Sequence, residues 1–362
     1  MRKKYFFNLF QFILVFILVT ACSKEQSQDN LVVDNVWENV VLPDVSRQPI
    51  KLSVANIVNP RFKQLTSSQV ESILLRSQQL VKQYFDIDIL FSDTDTLSIE
   101  SVFNGLDKTL IQNRSTEIVD INFIGQRDRE NMQQALFKTL SLYRDNKNNV
   151  IEFAQPYLLH PEIKHKGFIS FSYALADTLI SRLSYWKNQT AADGKPVLDG
   201  SGYNQWVWWD SLGYGDLQYD VVLTNQLVAS AENYGMDVHS SIRGGLTAGT
   251  TTYNKNTQFN SYVYIMVYPM LNDTDLLTTL RQDESYTEEQ IINYSAALLT
   301  HELGHMLLHL GHPFGNKHCI MSPTVMLNYR DWYDNFDADL CAVGSSHDMQ
   351  VGAIELEYNK NW

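Results

Sequence analysis

Five of the nine histidines in this 362-residue chain fall between positions 301 and 318. The stretch opens His301-Glu302-Leu303-Gly304-His305 and continues through His309, Gly311-His312-Pro313 and His318. A folded protein gains little from crowding imidazoles, because each buried one needs a polar partner. A metal ion satisfies several at once. The preceding residues fix the setting of the cluster. Thr287-Glu288-Glu289-Gln290 is a capping-box pattern, with two acids in the first turn where the helix dipole favours them. The helix it opens is predicted to run to about Leu310. Ile291, Tyr294, Leu298, His301, His305 and Leu308 form one stripe, and Ile292, Ala296, Leu299, Leu303, Met306 and Leu310 form its neighbour. A helix apolar over so much of its circumference is largely buried.

His301 and His305 are four apart, so their rings project from one face and converge on a single ion. Zinc takes neutral imidazole nitrogens at ~2.0–2.1 Å in a tetrahedral shell. Glu302 is turned by about 100° from His301 and reaches toward a water on the metal instead of the metal itself. This is the His-Glu-x-x-His arrangement of zinc peptidases, with the glutamate as general base. His309 continues the series, but it stands about 12 Å along the helix from His301, too far to share the ion. The third ligand must therefore arrive after a turn. Gly311 is the residue best suited to end the helix, and His312 follows it directly; His318 is the alternative.

His301-Glu302-Leu303-Gly304-His305 followed by a Gly-His pair resembles the metzincin clan of zinc peptidases. The clan usually places its third histidine six residues after the second, whereas His312 stands seven after His305. The clan's usual glycine three residues after the second histidine is Leu308 here. Metzincins also carry a methionine turn beneath the metal, and Cys319-Ile320-Met321-Ser322-Pro323 looks like one. The short gap from His312 to this turn is closest to the archaemetzincins. Those proteins hold a second zinc with additional cysteines, one directly after the third histidine. Pro313 occupies that position here, which implies a single zinc ion with a disulfide in place of the second. The resemblance covers residues 301–323 and carries no substrate preference with it.

The first 21 residues read as a targeting segment. Arg2, Lys3 and Lys4 are basic, Phe12 to Val19 is an apolar run, and Val19-Thr20-Ala21-Cys22 resembles the lipobox of bacterial lipoproteins. The resemblance implies lipidation at Cys22 and a lipid-anchored, extracytoplasmic place in the bacterial cell envelope. The apolar run is short of the ~20 residues of a membrane-spanning helix. With Cys22 lipidated, Cys319 and Cys341 remain. An even pair in an oxidising compartment reads as one disulfide, with two unpaired buried thiols as the alternative. The formal charge of −13 argues against a nucleic-acid partner, which would require a basic surface.

The rest of the chain supplies the scaffold. Residues 22–60 read as a polar tether followed by an N-terminal β arm, and 61–362 as the main domain, with a lower part at about 313–362. Helical periodicity predicts helices over 66–84, capped by Ser67 or Ser68, and over 100–112, 128–144 and 168–186. Residues 86–91, 217–224 and 262–268 read as strands, the last covered on both faces. Residues 145–149 and the turn Arg243–Gly249 read as loops. The Gly- and Asn-rich stretch 189–216 reads as a loop whose Trp206, Trp208 and Trp209 either plug the core or line a cleft. Tyr329 and Tyr333 follow the methionine turn; each either packs or assists an oxyanion.

The expected fold is α/β (α+β), a zincin-like, metzincin-like domain with a twisted mixed sheet and a central active-site helix. The expected activity is that of a zinc metallopeptidase acting on a protein or peptide substrate. His301, His305 and His312 hold Zn²⁺, Glu302 activates water, and Met321 supports the site from below. Two alternatives stand beside it. One is a surface-anchored protein- or glycan-binding lipoprotein with a closed structural zinc site, and the other a hydrolase of non-peptide amides.

Overall fold

A computed structural model describes residues 48–115, 126–141, 147–199, 202–214, 218–229, 238–252, 261–282, 284–308, 310–312 and 317–341. All lie in the larger of two compact units, Val41–Trp362. The targeting segment, Cys22, the tether, His309 and residues 342–362 lie outside the described residues.

The fold is mixed α/β. Its first elements are β1 (Ile50–Val58), α1 (Ser67–Phe85) and β2 (Ile89–Ser98). Six helices follow: α2 (Ile99–Phe103), α3 (Lys108–Ser115), α4 (Gln126–Ser141), α5 (Lys147–Ala154), α6 (Phe168–Lys187) and α7 (Gln205–Tyr214). The chain then gives β3 (Val221–Thr224), α8 (Val238–Ile242), β4 (Gly249–Thr252) and β5 (Tyr262–Met266). It continues through α9 (Tyr268–Leu271), α10 (Asp275–Leu280), α11 (Glu288–Leu308) and α12 (Tyr329–Tyr333). No helix among the described residues is long and apolar enough to cross a membrane.

The five strands form one sheet in the order β2-β1-β3-β5-β4. The first four run parallel, and β4 pairs antiparallel with β5 at the edge. β3 and β5 are buried at every position, as parallel strands covered on both faces must be. Within the β arm expected over 22–60, residues 50–58 are an inner strand, hydrogen-bonded to β2 on one side and β3 on the other. Val54, Ala55 and Ile57 are fully buried, so this segment belongs to the core of the domain.

Several boundaries also move, each for a local reason. Thr66, not Ser67 or Ser68, caps α1, because its hydroxyl accepts from Gln69 N while the Gln69 side chain accepts from Thr66 N. Asp86 takes a left-handed conformation (φ 53°) and ends α1, so the following strand starts at Ile89 instead of 86. The single helix predicted over 100–112 is two helices. The second is opened by Asp107, whose carboxylate accepts from Thr109 N and Leu110 N. Residues 147–154 form α5 where the composition of 145–149 predicts a loop, and Gly249 begins β4 where its glycine-rich run predicts a turn.

The tryptophan-bearing loop is in part the helix α7. Trp208 is fully buried, donates to Gly202 O (2.7 Å) and stacks on Tyr264 at 5.8 Å. Trp206 and Trp209 flank Arg114, with ring centres 5.5 and 5.8 Å from its guanidinium carbon, while Arg114 pairs with Asp210. The three rings thus serve the core and a cation clamp.

Two hydrophobic clusters result. The larger joins the sheet to α1 and α11. The smaller joins α4, α5 and α6 and extends to Val238, Ile242 and Val325, which border the histidine region. Helices α1 and α11 pack against each other, with the Ser77 and Thr300 hydroxyls 3.1 Å apart. α11 also lies against β4 and β5, so the edge strand runs beside the histidine helix.

Candidate metal centre

The capping box at the start of α11 is present: Gln290 N donates to Thr287 Oγ1 (3.3 Å) and Thr287 N to the Gln290 side chain (2.9 Å). From Tyr294 to Leu308 the helix is buried almost continuously. It stops at Leu308, before Gly311. Leu310 N then turns back to donate to Gly304 O (3.3 Å).

The outcome is a triangle. The Nε2 atoms of His301, His305 and His312 stand 3.1 Å apart along all three edges. His301 Nδ1 donates to Ile320 O (2.8 Å), and His305 Nδ1 donates to Leu310 O. A carbonyl only accepts, so these bonds place the protons on Nδ1 and leave both Nε2 atoms as lone-pair acceptors. Acceptors aimed at one another repel unless a cation lies between them. Edges of 3.1 Å put the centre of the triangle about 1.8 Å from each nitrogen, close to the ~2.0–2.1 Å of a Zn–N bond. The donor set therefore fits a metal ion held by His301, His305 and His312. Burial, followed by neighbouring imidazoles, holds His301 and His312 well below the usual histidine range. Burial brings His305 down to about 4 against the raising effect of its bond to Leu310. All three are neutral near pH 7, which is the form a metal requires.

His318 lies elsewhere. Its Nδ1 donates to Asn335 O (2.7 Å), and its own carbonyl accepts from Asp337 N (3.0 Å). Among the described residues it takes no part in the histidine triangle.

The turn beneath the site is tight: Ser322 N donates to Cys319 O (2.9 Å), and Trp332 Nε1 to Ser322 O (2.8 Å). Met321 is fully buried against Gly304, and the Trp332 ring stands 6.0 Å from that of His301. Cys319 and Cys341 are joined as a disulfide (S–S 2.11 Å), which ties the start of the turn to the end of the described chain.

Glu302 is buried on the side of α11 that faces β4. Thr251 Oγ1 lies 2.7 Å from its Oε2 and 3.0 Å from its carbonyl oxygen. Burial raises this carboxyl to about 7, against smaller lowering effects from Thr251 and Arg243. A group near 7 can both take and return a proton at neutral pH.

Several neighbours carry no signal in the sequence. His239, on α8, packs edge-on to His312 at 4.9 Å, and burial holds it well below the usual histidine range. Arg243 is buried; its Nε donates to Leu246 O (2.8 Å) and its Nη1 to Thr324 on the far side of the methionine turn. Neither stands at a spacing that ties it to residue 301. Tyr329 is fully buried and burial raises its phenol, whereas Tyr333 is part-exposed with its hydroxyl 3.3 Å from Arg76.

No protein-family model, curated protein or solved structure matches the chain.

Proposed function

We propose that this chain is a zinc-dependent peptidase of zincin-like, metzincin-like fold, lipid-anchored in the cell envelope through Cys22. The carrying observation is the triangle of His301, His305 and His312 Nε2 atoms, with the buried Glu302 carboxyl one residue from the first of them. A purely structural metal site has no need of that carboxyl, and the fourth protein ligand that such a site requires is not supplied by His318. A parallel sheet that ends in one antiparallel edge strand beside the histidine helix supports the fold assignment. No described strand covers the outer edge of β4, so an extended peptide can pair there alongside the site.

When bound, zinc supplies Lewis acidity, which makes water more acidic and the scissile carbonyl more electrophilic. The protein residues manage the protons. Glu302 accepts one proton from the attacking water as its oxygen bonds to the carbonyl carbon. Glu302 then delivers that proton to the nitrogen as the C–N bond breaks, so one water is consumed per bond cleaved. The Ile320 and Leu310 carbonyls hold two of the imidazoles in the tautomer that faces the ion, and Trp332 and His239 wall the site against solvent.

The test is digestion of a mixed peptide library by the purified protein, before and after chelation and again after zinc is restored. The proposal expects cleavage that chelation abolishes and zinc recovers. Cleavage unaffected by chelation, or none in a zinc-loaded sample, would overturn it.

A further inference from the structure

Gly249 and Thr251 stand two apart on β4 and so share one face of the strand, the face turned to Glu302. Their contributions to that carboxyl differ. Thr251 Oγ1 lies 2.7 Å from Glu302 Oε2, a distance typical of a strong hydroxyl–carboxylate bond, and is also 3.0 Å from the Glu302 carbonyl. Gly249 provides room. A Cβ at that position would fall on Glu302 Oε1 and lie 2.7 Å from both Cδ and Cγ of the same side chain. The glutamate is packed so closely under the edge strand that no other residue type fits at 249 without displacing it.

We infer that β4 is the seat of the general base: Thr251 is a positioning residue that holds the Glu302 carboxylate, and Gly249 is the gap it occupies. This rests on the peptidase reading for its catalytic consequence, but the seat itself is a property of the fold. A glutamate on a helix has three side-chain torsions, and only a narrow range of them aims the carboxylate at an attacking water. Fixing those torsions before substrate arrives lowers the barrier to proton transfer, because geometric precision of this kind contributes to rate and not to substrate affinity. The strand that a peptide substrate would pair with thus also aims the base. Thr250, between the two, faces the opposite way and carries no such role.

The experiment combines kinetics with a stability cycle. Thr251→Val, Thr251→Ser and Gly249→Ala are compared with wild type on quenched fluorogenic peptides, with zinc content measured on each sample. The Val and Ala variants should lose about 10- to 100-fold in kcat with KM within about twofold and zinc unchanged, a part of the ~10²–10⁴ that a general base contributes. Thr251→Ser, which keeps the hydroxyl, should recover most of the rate. Independently of activity, the melting-temperature shifts of Thr251→Val and Glu302→Ala should be non-additive in the double variant, as for residues joined by one bond. Unchanged kcat in the Val and Ala variants, or strictly additive shifts, overturns the seat. Coupled stability shifts in a wild type that cleaves nothing would uphold the seat and remove the peptidase reading instead.

Discussion

Gly304 lies so close to Met321 that a Cβ on the glycine would stand 2.5 Å from the methionine sulfur. The same Cβ would meet Phe85 Cζ at 2.8 Å. The glycine between Glu302 and His305 is thus where the histidine helix, α1 and the methionine turn meet. An exposed helical Gly→Ala change stabilises by about 1 kcal/mol. At this position overpacking should outweigh that gain, at a cost of about 1–3 kcal/mol. Urea unfolding of Gly304→Ala should therefore show net destabilisation; a higher midpoint would mean the turn is free to retreat.

Replacing His312 opens one corner of the nitrogen triangle. His312→Ala should weaken zinc binding by roughly 100-fold or more, since even partners behind a ligand are worth ~10–100-fold. His318→Ala should leave affinity unchanged, because that ring is bonded to Asn335 O and not to the triangle. Competition with a chromophoric chelator measures both. Loss of zinc in the His318 variant would return the third-ligand assignment to that residue.

The Glu302 carboxyl gives a stability effect of definite sign. In the folded metal-free protein burial keeps its proton on up to about 7, against the ordinary glutamate value of 4.5 that holds in the unfolded chain. Between those values the folded state binds more protons than the unfolded one, so the Glu302 contribution to stability falls as pH rises through the window. His305 acts at the acid end: with a folded value of about 4 against 6.5, its contribution is lost as pH falls through that range. Metal-free Glu302→Gln should therefore gain stability over wild type progressively from about pH 4.5 to 7. Melting curves in chelator across that range test this, and a pH-independent difference would contradict it.

The disulfide spans 22 residues and begins next to Ile320, whose carbonyl orients His301. Closing a loop of that size is worth about 3 kcal/mol on chain entropy. Cys341→Ser should lower the unfolding free energy by about 2–4 kcal/mol and, through the loosened turn, reduce zinc affinity by about 10-fold. Denaturant titration with and without zinc measures the two effects separately.

The parts of this site that the sequence disclosed are those set by local periodicity. Thr287 and Gln290 mark the start of α11, and helical spacing brings His301 and His305 together. A spacing argument also pointed to His312, which the structure brings within reach of the other two rings. The backbone bond from Leu310 to Gly304, which carries the chain from the helix toward His312, has no signature in the side chains. The partners that came from elsewhere in the chain were not legible. Thr251 is 51 residues from Glu302, and a threonine in a Thr-rich strand announces no catalytic partner. The carbonyls of Ile320 and Leu310 belong to the backbone, which every residue carries. The inner position of Ile50–Val58 is not legible either, because a short alternating run beside a polar stretch has the same pattern at an edge as in a sheet centre; only its pairing with β3, more than 160 residues later, distinguishes them.

Zinc content and peptide hydrolysis, measured on the same preparations of wild type and Glu302→Gln, test the role of Glu302 most directly. One zinc per chain is expected in both, with turnover in wild type and a loss of at least about 100-fold in kcat for the variant. Equal turnover in the two, or a wild type that binds zinc and cleaves no peptide, would contradict that role.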